Sequence, residues 1–89
     1  MPIAIVFHTA RLRADLAAQR LTSSDLVKAW LAREARRKRY VFEPTEYQRV
    51  WHRVHRFLKG RGSVDTADRI AAVLGQPRDR YVSVVIQSK

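Results

Sequence analysis

The sequence predicts a mainly α protein: one compact four-helix domain, spanning residues 1–89, with a short β-strand near each end. Three observations predict it. Four apolar patterns at helical spacing are each bounded by capping or stop residues. Two β-prone runs, 3–7 and 81–87, lie outside those patterns. Eighty-nine residues with 46% hydrophobic content, including two Trp, three Phe and three Tyr, suffice for one modest core and argue against intrinsic disorder.

The elements follow in order. Ile3-Ala4-Ile5-Val6-Phe7 reads as a short strand or ordered arm. Thr9 reads as an N-cap, and Leu12 and Leu16 mark one face of a helix over about 10–20. Leu21-Thr22-Ser23-Ser24-Asp25 is a break and restart, with Thr22 and Asp25 at capping-box spacing. Leu26, Val27, Trp30 and Leu31 then carry a second helix over about 23–37, which ends in Arg and Lys that suit its dipole. Arg39 to Pro44 is a connector with β character, because a residue before proline is pushed out of the helical region. Thr45 and Gln48 have capping-box spacing for a third helix over about 45–59. Tyr47, Val50, Trp51, Val54, Phe57 and Leu58 form one continuous apolar stripe on it, and Gly60 stops it. Ser63 or Asp65 starts a fourth helix, about 65–74, which turns Ala67, Ile70, Ala71 and Leu74 inward and ends at Gly75 and Pro77. In 81–87, Val82, Val84 and Ile86 alternate onto one face of a strand.

Charge then points to a function. The chain carries +10, and it is unevenly placed. Residues 28–62 hold eleven of the eighteen Lys/Arg against Glu34, Glu43 and Glu46. The segments on either side are each close to balance: three Lys/Arg against two acids before, and four against three after. Charge that serves only solubility is spread and mixed in sign. Charge concentrated in one third of a small domain is the footprint of a nucleic-acid binder.

Opposite its apolar stripe, the third helix shows Glu46, Gln48, Arg49, His52, Arg53, His55, Arg56 and Lys59, with no acid beyond Glu46. Gln and Arg are the residue types that reach adenine and guanine edges with paired hydrogen bonds in the major groove. Base contacts are expected from Gln48, Arg49 and Arg53. Phosphate contacts are expected from Arg36, Arg37, Lys38 and Arg39, and from Arg56 and Lys59. A basic surface for an acidic protein and a passive solvated face remain alternatives.

Other chemistries find little support. His52 and His55 have chelating spacing, but no cysteine and few carboxylates accompany them, so no metal or other cofactor is expected. There is no Cys nucleophile and no Gly-rich phosphate loop, so no enzyme activity is expected. No small-molecule ligand is evident. No apolar run approaches the ~20 residues that cross a bilayer, and the first seven residues lack the features of a signal peptide. The expectation is a soluble cytoplasmic, nucleoid-associated protein without membrane contact.

Phe57 to Gly75 resembles the C-terminal half of Cro/repressor-type (XRE-like) helix-turn-helix domains. There a recognition helix ends in a short Gly-containing turn, followed by a helix of the form T-x-x-R-I-A-x-x-L-G, which Thr66, Arg69, Ile70, Ala71, Leu74 and Gly75 match. Leu21 to Leu26 is similar to the start of that family's second helix. The similarity spans about 20–75, with its specific part in 57–75. Small phage and actinobacterial regulators look like this. The chain departs from the family at Arg37 to Pro44, which replaces a tight turn: either the connector is enlarged or the second helix is longer. The resemblance implies a sequence-specific double-stranded DNA-binding transcriptional regulator with helix 45–59 in the major groove. Thr45, Glu46, Gln48 and Arg49 would then lead the base contacts. A phage-type factor for an acidic host protein, and a sequence-neutral nucleic-acid binder, are the alternative functions.

A lone strand at 81–87 needs a partner for its backbone groups. That partner is either Ile3–Phe7 or the same strand of a second copy. The second arrangement is the one expected: a homodimer through Val82, Val84 and Ile86, which suits a protein that reads two half-sites.

Overall fold

Four helices form where the apolar spacing places them, and the two end strands pair with each other. The computed structural model describes residues 3–38 and 43–86. The order is β1 (Ile3–Phe7), α1 (Thr9–Ala18), α2 (Ser23–Lys38), α3 (Pro44–Leu58), α4 (Val64–Leu74), one 3-10 turn at Arg78–Arg80, and β2 (Val82–Ile86). Arg39, Tyr40, Val41 and Phe42 lie outside the described residues, as does Gln87 of the expected 81–87 strand.

The caps decide the boundaries. At α2 the reciprocal box forms: the Asp25 N–H donates to Thr22 Oγ1 at 3.1 Å and the Thr22 N–H to Asp25 Oδ2 at 2.9 Å. At α4, Ser63 is the N-cap, and its hydroxyl accepts from the Thr66 N–H. Two expected caps are corrected. Thr9 is the first residue of α1 and His8 its N-cap, because the His8 N–H is taken by the Tyr81 carbonyl at 2.9 Å. Thr45 is already inside α3: Pro44 starts the helix, where its missing N–H costs nothing, and Glu43 is extended before it. The Thr45–Gln48 box therefore has no cap to make.

α1 also stops short of residue 20. Arg20 adopts φ +56. Its N–H returns to the Ala17 carbonyl, and the Leu21 N–H reaches the Leu16 carbonyl at 2.8 Å. This is a Schellman close with Arg where glycine is usual. Gly60, at φ +83, closes α3 in the same way, with the Arg61 N–H on the Arg56 carbonyl. α2, in turn, runs a full sixteen residues to Lys38.

The core sits where the helices cross. α1 gives Leu12 and Leu16, α2 gives Leu26, Val27 and Trp30, and α3 gives Val50, Val54 and Phe57. Ala67, Ile70, Ala71 and Leu74 of α4 complete it, with Tyr81 and Val82 below. In the α3 stripe, Tyr47, Trp51 and Leu58 are only half-buried and border this cluster.

β1 and β2 are antiparallel, in a register that sets Ile3 opposite Ile86 and Phe7 opposite Val82. The pairing that the last strand needs is thus met within the chain. Phe7 meets Phe57 edge-on at 5.1 Å, which roots this ribbon at the C-terminal end of α3. Beyond the root it is uncovered: Ile3, Ile5, Val84 and Ile86 are all exposed. The molecule measures 48 × 28 × 20 Å. Among the described residues, no helix is long and apolar enough to cross a membrane.

Candidate nucleic-acid interface

α3 presents its outer face because its apolar stripe is spent on the core. Thr45, Gln48, Arg49, His52, Arg56 and Lys59 are all exposed along one side of this fifteen-residue helix. At 1.5 Å per residue that face is about 22 Å long. It carries no carboxylate; Glu46 lies at its edge and pairs loosely with Arg49 at 3.3 Å. Exposed pairs of this kind contribute little, so Arg49 can leave Glu46 for a ligand.

Arg53, expected to contact bases, has partners within the fold. Its Nη2 donates to Asp65 Oδ2 at 2.7 Å, its Nε to Thr66 Oγ1 at 3.2 Å, and its guanidinium lies 4.9 Å from the centre of the Trp30 ring. It ties α3 to the start of α4 and to α2. The bond from Arg53 holds the Asp65 carboxyl below the usual carboxylate range.

The basic end of α2 is similarly divided. Glu34 is buried and takes Arg69 on one oxygen, and Arg37 at 2.9 Å and Lys38 at 3.8 Å on the other. Burial pushes the Glu34 carboxyl up, but the bonds from Arg37 and Arg69 outweigh this and hold it low. Arg37 and Lys38 therefore serve a structural carboxylate. Arg36 is exposed without an ion pair among the described residues. Arg39 lies outside the described residues.

Of the positions expected to dimerise, Val82 is 2% exposed and belongs to the core, which corrects its expected place on a contact surface. Val84 and Ile86 remain exposed.

Sequence reasoning missed two groups. One is the set of acids that hold basic residues in place. Glu34 could have been suspected, since Arg37 and Lys38 follow it at i+3 and i+4; Asp65 and Arg53, far apart in sequence, carried no such signal. The other is Arg13 of α1, whose Nη2 donates to the Leu58 carbonyl at 2.9 Å and so stands beside the end of α3. No family model, no curated protein and no solved structure matches this chain.

Proposed function

We propose that this protein is a sequence-specific double-stranded DNA-binding regulator of transcription that lays the outer face of α3 in the major groove. The observation that carries the reading is that face itself: six exposed polar side chains, three of them cationic and none acidic, along one helix of a +10 chain. Thr45, Gln48 and Arg49 occupy the N-terminal turns, the end that recognition helices point at base edges. Two copies on a duplex with half-sites about one helical turn apart complete the proposal. The uncharged ribbon, with Val84 and Ile86 exposed, is the surface on which they would meet.

Selection of bound duplexes from a random pool tests it. A regulator retains one sequence class, typically ~10³-fold over random duplex. Gln48→Ala and Arg49→Ala should each relax that preference and cost about 1–3 kcal/mol in binding. Retention of all duplexes alike would replace the reading with a sequence-neutral binder. No retention of any duplex would leave the acidic-protein partner. Sedimentation of the complex reports whether one copy or two is bound.

A further inference from the structure

Arg11, Arg20, Lys28, Arg33 and Arg36 pair with no carboxylate among the described residues, and four further cations without one gather in one place. Arg49, Arg53, Arg69, Arg78 and Arg80 each hold an acid, as do Arg37 and Lys38. Arg13, Arg56, Lys59 and Arg61 are exposed and hold none among the described residues. All four surround the C-terminal end of α3. Two adjoining cavities lie there. One, of about 450 Å³, sits between α1 and α3 with Arg13, Ser23, His55 and Lys59 at its rim. The other, of about 250 Å³, is lined by His52, His55, Arg56, Lys59 and Arg61.

His55 and Lys59 belong to both. The His55 ring lies tilted at 39° against Trp51 with centroids 4.0 Å apart, and its Nε2 is enclosed without a hydrogen-bond partner among the described residues. A buried polar atom left in this way is a cost that a suitable ligand or a solvent molecule relieves. Arg13 uses one of its five N–H groups on the Leu58 carbonyl, so its fork is fixed at the rim with donors to spare.

We infer that this notch binds a phosphate group, clamped by Arg13, Arg56, Lys59 and Arg61 against the wall formed by His52 and His55. The inference rests on the nucleic-acid reading for the source of that phosphate, the backbone of a bound duplex. It joins Arg13 and Arg61 to the phosphate contacts already expected of Arg56 and Lys59, in one clamp at the end of α3. The duplex is then gripped at the end of α3 opposite Gln48 and Arg49.

Two measurements on the full chain test it. The first is the salt dependence of binding to a random-sequence 16-bp duplex by Arg56→Gln/Arg61→Gln, against the charge-matched control Lys28→Gln/Arg78→Gln. Neither Arg56 nor Arg61 has a side-chain partner whose loss would unfold the domain. The notch variant should lose on the order of tenfold in affinity, and its log–log salt slope should fall by about 0.9 per contact. The control should change on the order of twofold at most, since charges beyond about 8 Å are screened at physiological salt. The second is the imidazole ¹⁵N signal of His55 during separate titrations with the duplex and with inorganic phosphate.

A flattened slope in the notch variant alone, with His55 shifted by the duplex, supports the clamp. Duplex binding with equal slopes in both variants and an unmoved His55 overturns the notch and leaves the DNA reading intact. A shift with inorganic phosphate but no duplex binding keeps the notch and overturns the DNA reading. No response to either probe overturns both.

Discussion

Asp15 fastens the last residues of the fold to the first helix. Its carboxylate accepts from Arg80 Nη2 at 2.7 Å and from the hydroxyl of the buried Tyr81. These bonds, from Arg80 and then Tyr81, hold its pKa at about 2 against an ordinary 3.8, while burial and the same carboxylate push the Tyr81 hydroxyl up. A carboxyl depressed in the folded state contributes fully above its unfolded pKa and loses that contribution as pH falls through the folded one. Asp15→Asn should therefore cost about 1–3 kcal/mol at neutral pH, as a buried hydroxyl and a partly exposed guanidinium lose a charged acceptor. The gap between variant and parent should close between pH 3.8 and about 2. Urea melts across that range check it, and a gap that stays constant would remove Asp15 as the titrating anchor. None of this was legible in the sequence. Asp15 could be placed on a helix, but its partners are sixty-five and sixty-six residues away, and a single charge carries no signal of so distant a mate.

At the scale of elements the sequence was far more legible, because helices declare themselves locally. The Thr22–Asp25 box, the apolar stripe of α3, Gly60 and Gly75 each act within four or five residues, and each marks the start, face or end of a helix in the structure. The errors fall where two local rules compete. Pro44 outranks Thr45 as a starter, and the left-handed turn at Arg20 ends α1 with a residue that does not advertise it. Degree of burial was less legible than face. Trp51 lies on the predicted stripe but at its margin, between Tyr47 at 6.2 Å and His55 at 4.0 Å. Trp51→Ala should cost about 2–3 kcal/mol, below the 3–5 typical of enclosed aromatics. Thermal melting measures this, and a loss of duplex binding without a lower Tm would mean that the ring contacts the ligand instead. The candidate site divides in the same way. Thr45, Gln48, Arg49, Arg56 and Lys59 could be placed on the outer face from periodicity alone, whereas the diversion of Arg53, Arg37 and Lys38 depends on acids on α2 and α4.

For the whole molecule, the question that the sequence left open was which strand pairs with which. The alternation of 81–87 showed a strand in need of a ladder, and nothing local distinguishes Ile3–Phe7 from a second copy. The structure closes the ladder inside the chain, and this changes what truncation does. Removing residues 81–89 takes away Tyr81 and Val82, which are 0% and 2% exposed, and strips β1 of its partner. The truncated chain should lose its cooperative melt or show a Tm many degrees lower, instead of remaining a folded monomer. Near-UV circular dichroism with a thermal scan decides this, and a parent-like transition would show that the ribbon contributes nothing to stability. The same topology governs how the protein is made. β1 leaves the ribosome well before its partner, Val82–Ile86, because all four helices lie between them in sequence. At about 5–20 residues per second, Ile3, Ile5, Val6 and Phe7 wait on the order of ten seconds with open backbone groups and bare apolar side chains. The helices can assemble as they emerge, but the clasp closes only once β2 has followed them out. Nascent chains are thus most exposed to chaperones, proteases and one another through a segment that, in the finished protein, is one half of a closed pair.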